Sequence, residues 1–297
     1  SFDIPVISVG NITVGGSGKT PHVEYLINLL RDKVKVAVLS RGYKRKSKGY
    51  MLATADTPMS DIGDEPYQMK KKFADIYVAV DKNRCHGIDQ LTTNEETSDT
   101  DVILLDDAYQ HRYVKPGVNI LLVDYHRLIM YDKLLPAGRL REPQKGKARA
   151  DIVIVSKCPA DLKPMEFRVI TKAMNLFPYQ KLYFTTLKYG CLRPIYGGED
   201  RKLDTLTGDT SILLLTGIAS PQQMIVDLKP YTERITPLTF PDHHQYTDAD
   251  IDRINAEFEA MKGNDKMIVT TEKDNARLCG MEGLSDEVKK NIYVLPV

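Results

Sequence analysis

The four cysteines, Cys85, Cys158, Cys191 and Cys279, form no C-x-x-C pair, and no histidine stands at ligand spacing from any of them. That spacing argues against a zinc site and against a disulfide framework, and it suits a reducing compartment. An excess of charge is missing too. With 41 Lys and Arg against 40 Asp and Glu, no global field attracts nucleic acid, so no nucleic-acid partner is expected and any anion must be met locally. No window approaches the roughly 18 apolar residues of a spanning helix. A secretory signal pattern, internal repeats and low-complexity segments are also lacking. The sequence opens SFDIPV, without Met and directly before a strand, which leads to the expectation that an upstream segment, an anchor included, is cut away.

What is present is an ordinary soluble composition. Over 297 residues, 42% are hydrophobic and 27% charged, enough for two α/β domains or one large one. One local basic run stands out. RGYKRKSKGY, residues 41–50, gathers Arg41, Lys44, Arg45, Lys46 and Lys48, either as a solvated loop or as an anion contact.

Short apolar runs alternate with helical patterns: IPVISVG (4–10), VKVAVLS (34–40), IYVAV (76–80), DVILLDD (101–107), NILLVD (119–124) and DIVIVSK (151–157). Apolar on both faces and ending in Gly, Ser, Asp or Lys, they read as buried parallel strands whose C-terminal ends carry the chemistry. Val23, Leu26, Ile27 and Leu30 fall on one face of a helix between the first two strands, which makes a βαβ unit. Past about residue 180 the texture turns to Gly, Pro and charge with little helical period, which suggests linker strands. A second α/β run follows from SILLLTG onward. The expected architecture is α/β: a P-loop NTPase-type parallel-sheet domain over 1–182, linker strands over 183–208, and a smaller α/β domain over 209–297.

TVGGSGKT, residues 13–20, sits at the turn of the first βαβ unit. A run of small residues leading to Lys-Thr at a helix start cradles polyphosphate: backbone N–H groups face the anion, Lys19 reaches the outer phosphates and Thr20 binds Mg²⁺. The usual pattern has glycine where Thr13 stands, but Gly15, Gly16 and Gly18 keep the loop permissive; the competing reading is an incidental glycine-rich turn. VILLDDAYQH offers Asp106 and Asp107 at a strand end as acids for the metal. A helix N-cap would account for one of them and poorly for both. Asp64 and Glu65 precede Pro66 at a helix start, where capping and dipole compensation compete with a catalytic role. FPDHHQY, residues 240–246, puts His243 and His244 beside Asp242, as a metal site or an acid–base pair, and no third ligand follows at helical spacing.

SVGNITVGGSGKTP, LSRGY, GDEP, LLDDAYQH, PAGRLREP, VSKC, FPDHH and TTEKD occur in this order over nearly the whole chain. In these eight blocks the sequence resembles the tetraacyldisaccharide 4′-kinases, the lipid A 4′-kinases of Gram-negative bacteria. That family's loop also carries Thr at its first position, so the resemblance decides for a true but deviant phosphate loop. It implies ATP- and Mg²⁺-dependent phosphorylation of the 4′-hydroxyl of an acylated glucosamine disaccharide 1-phosphate, giving lipid IVA at the cytoplasmic face of the inner membrane. It implies a loop of Thr13, Val14, Gly15, Gly16, Ser17, Gly18, Lys19 and Thr20 around the nucleotide, with Glu142 as a further nucleotide contact. Thr20, Asp106, Asp107 and Glu65 would serve the metal, and Asp64 with His243 would form the base. Two rival classes share the fold: a nucleotide-operated switch or metallochaperone, and a ligase or synthetase. VSKC faintly resembles a guanine-reading block, but Cys158-Pro159 offers no Asp at its fourth position, which favours ATP.

Overall fold

The computed structural model describes residues 2–219 and 221–297. The chain divides into two compact units, the first ending at Leu187 and the second running from Lys188. In the first, the elements are β1 (Val6–Gly10), α1 (Lys19–Leu30), β2 (Val36–Ser40), β3 (Met51–Leu52), α2 (Met59–Ile62), α3 (Asp64–Lys72), β4 (Tyr77–Val80), α4 (Arg84–Thr93), β5 (Val102–Asp106), β6 (Val118–Asp124), β7 (Ile152–Ser156), α5 (Pro164–Met174) and β8 (Lys181–Phe184). The strands form one sheet in the order β3-β4-β2-β5-β1-β6-β7-β8. Only β3 runs antiparallel to its neighbour. Both faces are covered, as the unbroken apolar runs require: Val38, Val78 and Leu104 pack on one side and Ala37, Ala79 and Ile103 on the other.

Helix α1 turns Val23 and Ile27 into that core, where both are fully buried, and each contributes roughly 1.5–3 kcal/mol by leaving water. Glu24 is buried on the same helix and accepts from Lys72 Nζ at 2.6 Å and Gln68 Nε2 at 2.8 Å, which ties α1 to α3. Helix α3 begins with Asp64 and Glu65 and ends with Lys70, Lys71 and Lys72, charges that complement its dipole at both ends.

The second unit contains β9 (Arg193–Pro194), β10 (Ser211–Thr216), α6 (Gln222–Leu228), β11 (Ile235–Thr239), α7 (Asp248–Ala260), β12 (Lys266–Thr270), α8 (Glu272–Leu278), α9 (Asp286–Asn291) and β13 (Ile292–Val294). Its sheet runs β11-β10-β12-β13-β9, parallel except for β9. Alternation along β10 sends Leu213 and Leu215 to a core with Ile251, Ile254 and Phe258 of α7, and Ile212 and Leu214 to one with Leu228. Residues 183–208, expected as linker strands, are shared between the two sheets. β8 completes the edge of the first sheet beside β7, and β9 pairs with β13 in the second. The apolar residues there were too few and too interrupted by Gly and Pro to show which sheet each would join.

Candidate active site

The C-terminal ends of β1, β2, β5, β6 and β7 all open on one edge of the first sheet, where parallel α/β folds carry their ligands. The loop 11–18 leaves β1 there. Gly10 is needed at its root: a Cβ would stand 2.7 Å from Tyr109 Cβ and 2.9 Å from Tyr109 N, so the turn after β5 presses directly on the β1 backbone. Gly15 and Gly18 take φ of 103° and 79°, values that a side chain disfavours.

The loop is held from outside by its carbonyls. Lys157 Nζ donates to Gly16 O, Ser156 Oγ to Ser17 O at 2.8 Å, and His22 Nδ1 lies 2.7 Å from Gly18 O. In a trans peptide the C=O and the following N–H point in opposite directions. Fixing those three carbonyls therefore turns the N–H groups of Ser17, Gly18 and Lys19 the other way, as an anion cradle at a helix start requires. Asn11 Nδ2 braces the interior at 2.7 Å from Ser17 Oγ. Thr13 explains itself here. It forms an antiparallel bridge with Leu140, flanked by Val14 N to Arg139 O at 2.8 Å and Arg141 N to Ile12 O at 2.7 Å. Its backbone is extended and strapped by residues 133–141, so glycine is not required.

Lys19 Nζ stands 3.7 Å from Asp107 Oδ1, and Arg141 Nη1 approaches the same oxygen at 3.6 Å. Asp106 is buried at the end of β5, its Oδ2 accepting from Ser40 Oγ at 3.3 Å. Burial, then the charges of Asp107 and Glu65, push its carboxyl up to about 6, against the pull of Lys19 and Arg84. Asp107 sits in left-handed backbone at φ 48° and Lys157 at φ 58°, strain of a kind that gathers at functional sites. Asp64 and Glu65 occupy the first turn of α3. Gly63 is the N-cap residue, and Asp64 follows it as the first residue of the helix, buried.

The oxygens fit a hard cation. Oδ1 of Asp106 and Oδ1 of Asp107 are buried without a hydrogen-bond partner among the described residues, and the Thr20 hydroxyl belongs to a buried residue at the loop's end. No group of three His, Cys, Asp or Glu side chains forms a metal cage among the described residues, but Mg²⁺ in phosphate sites uses one or two carboxylates and fills its shell with phosphate and water.

Glu142 has several protein partners. It is buried, and both its oxygens accept from Arg149 Nη2, at 2.7 and 2.8 Å, with Arg112 at 3.3 Å and Gln110 at 3.3 Å. These contacts make it the anchor of the strap. Spacing alone could not reveal this, because Arg149 is seven residues away, at the end of a short 3-10 helix, Gln144–Arg149. The basic run is also thinner than expected: Arg45 holds its own loop through Ser47 Oγ at 2.9 Å and Gly49 O at 2.5 Å, leaving Arg41, Lys44, Lys46 and Lys48 exposed. Arg84 was not anticipated. It is buried after β4 and donates to Asp81 O at 2.6 Å and Asp106 O at 3.1 Å, and a lone Arg behind a strand end carries no signal of that.

In the second unit, His243 follows β11 in left-handed backbone at φ 59°. Its Nε2 is 3.8 Å from Asp242 Oδ2, and its Nδ1 is 3.5 Å from Arg277 Nη2. His244 turns aside to Asp250 at 2.9 Å, so the tandem pair does not act as one group.

Residues 1–297 match the model of the family described as tetraacyldisaccharide-1-P 4′-kinase, LpxK. The chain belongs to this kinase family. It is 60% identical to a tetraacyldisaccharide 4′-kinase of Phocaeicola vulgatus, over all of this chain and 81% of that protein. The corresponding kinase of Porphyromonas gingivalis is 44% identical over all of this chain and 83% of its own. A crystal structure of LpxK from Aquifex aeolicus in complex with ATP superposes with a TM-score of 0.71 at 31% identity, covering 99% of this chain and 83% of that one. The switch and ligase readings find no support in these kinases, and the P-loop type of fold agrees with the solved relative.

Proposed function

We propose that the chain transfers the γ-phosphoryl group of ATP to the 4′-hydroxyl of tetraacyldisaccharide 1-phosphate, giving lipid IVA in lipid A biosynthesis. It would do so with Mg²⁺, as a peripheral protein on the cytoplasmic face of a Gram-negative inner membrane. The observation that carries the reading is Lys19, at the end of a cradle of inward-turned N–H groups, facing Asp107 across 3.7 Å. Thr20, Asp106, Asp107 and Glu65 would hold Mg²⁺, which when bound neutralises charge on the phosphates. The loop N–H groups and Lys19 bind and orient the triphosphate. Asp64 would take the hydroxyl proton as the bond from O4′ to the γ-phosphorus forms and the bond to the ADP oxygen breaks, with His243 as its partner in a dyad.

The test follows the label of γ-labelled ATP with the lipid disaccharide present and absent. Label in the lipid only when disaccharide and Lys19 are both present is the expected result. Lys19→Ala should lose orders of magnitude in turnover at an unchanged melting temperature, because it removes charge neutralisation from a loop and not packing from a core. Label released solely as free phosphate, or near-normal transfer by Lys19→Ala, overturns the reading.

A further inference from the structure

The TTEKD block, whose role the resemblance does not specify, builds a buried ion pair behind His243. Thr271 caps α8, and its Oγ1 donates to Asp274 Oδ2 at 2.7 Å. Gly217 N donates to that oxygen at 3.0 Å. Asp274 Oδ1 accepts from Tyr246 Oη at 3.1 Å and from Arg277 Nη1 at 3.2 Å. Both side chains of the Asp274–Arg277 pair are fully buried, and Arg277 Nη1 also donates to Gly217 O at 2.9 Å. Every oxygen of the carboxylate is thereby engaged, which a buried charge requires. The pair fixes its neighbour as well: a Cβ on Gly217 would stand 2.9 Å from Asp274 Oδ1 and 3.3 Å from Pro241 O, so only glycine admits the pair this close to the turn that carries His243.

Arg277 Nη2 then meets His243 Nδ1 at 3.5 Å. A guanidinium has donors and no acceptor. A proton on Nδ1 would point at one on Nη2, so Nδ1 is the accepting nitrogen and the neutral ring carries its proton on Nε2. The turn holds the ring there, with His244 N donating to Pro241 O at 3.1 Å and His243 itself at φ 59°.

We propose that the Asp274–Arg277 pair is a positioning device that holds His243 as its Nε2–H tautomer, so that the ring presents a donor at Nε2 and does not accept the substrate's proton. The catalytic half of this rests on the Asp64–His243 dyad proposed above. In it the hydroxyl proton ends on Asp64, while His243 keeps its own proton. Arg277 and Asp274 act through His243 and touch no substrate.

The experiment uses the full chain with ¹⁵N-labelled imidazoles. Long-range proton–nitrogen correlation spectra, with His243 assigned by its loss in His243→Gln, read the tautomer directly and need no destabilising variant. The expected result is an Nε2–H ring with Nδ1 accepting. In the double variant Asp274→Asn with Arg277→Met, which removes both charges together so that neither is stranded, His243 should pass to mixed tautomers. Its kcat should fall about ten- to a hundredfold, the scale for removing a partner that orients a functional side chain, with KM for ATP little changed. Adding His243→Gln should then cost nothing further. An Nδ1–H ring in the unaltered protein, or a folded double variant that keeps both tautomer and kcat, overturns the inference. An Nε2–H ring with unchanged kcat in His243→Gln overturns the dyad and the catalytic half with it. An Nδ1–H ring with a large loss in His243→Gln overturns the positioning and leaves the dyad standing.

Discussion

His22 shows how a single side chain on α1 can serve the phosphate loop and record its state. Its Nδ1 meets Gly18 O at 2.7 Å and its Nε2 meets Thr185 Oγ1 at 3.0 Å, two neutral contacts near the positive end of a helix dipole. Burial holds its pKa below the ordinary 6.5, against the smaller upward pull of the Gly18 carbonyl. Between the lowered folded value and 6.5 the unfolded chain binds more protons than the folded one. Stability therefore rises with pH through that window and is lost as pH falls. His22→Gln should flatten the dependence of melting temperature on pH below 6.5. A variant whose melting temperature falls with acid as steeply as the parent's shows that other groups govern this range.

Among the elements, the strap of residues 133–141 is the piece that separates this loop from a simple glycine-rich turn. It covers Ile12 to Val14 by backbone bonds, and the Glu142–Arg149 pair fastens its far end. Glu142→Ala and Arg149→Ala should therefore resemble one another: each lowers the melting temperature, with a cost of about 1–3 kcal/mol for a half-exposed partner of a buried carboxylate. Both should raise KM for ATP modestly through a loosened strap. The double variant should be little worse than either single one. If Glu142→Ala alone destroys ATP affinity while Arg149→Ala binds normally, Glu142 contacts the nucleotide directly. The strap also marks where legibility ended. β1, β2, β4, β5, β6 and β7 each bury both faces, so their composition is continuous and their C-terminal ends locate Lys19, Asp106 and Asp107 together. YDKLLPAGRL has no period, because its order comes from the loop it lies against. Thr13 read as a deviation for the same reason: its partner, Leu140, is far along the chain.

At the scale of the whole molecule, Asp64 lies in the first unit and His243 in the second, and sequence blocks from a known family supplied that pairing where spacing offered only alternatives. A double-mutant cycle on turnover tests it. Asp64→Ala should lose roughly 10²–10⁴-fold, the range for a positioned base, with His243→Ala adding little on top. Multiplicative losses, or losses that track melting temperature, return both residues to structural roles. The proposed association with membranes is tested on the whole molecule too. Among the described residues no helix is long and apolar enough to cross a bilayer, while Arg41, Lys44, Lys46 and Lys48 are exposed together. Each contributes about 1 kcal/mol beside an anionic leaflet, so vesicles of anionic lipid should hold the chain at low salt and release it at high salt. Retention that ignores salt points to an apolar contact instead. The sheet order has one more outcome. Ile7 of β1 pairs with Leu104 of β5 and with Val118 of β6, so the strand that carries the phosphate loop acquires no neighbour until a ribosome has released about a hundred further residues. Until then only α1, through Val23 and Ile27, can lie on its apolar face. Closure of so long a span is slow, and through that interval residues 4–10 present an unpaired strand edge of the kind that pairs wrongly.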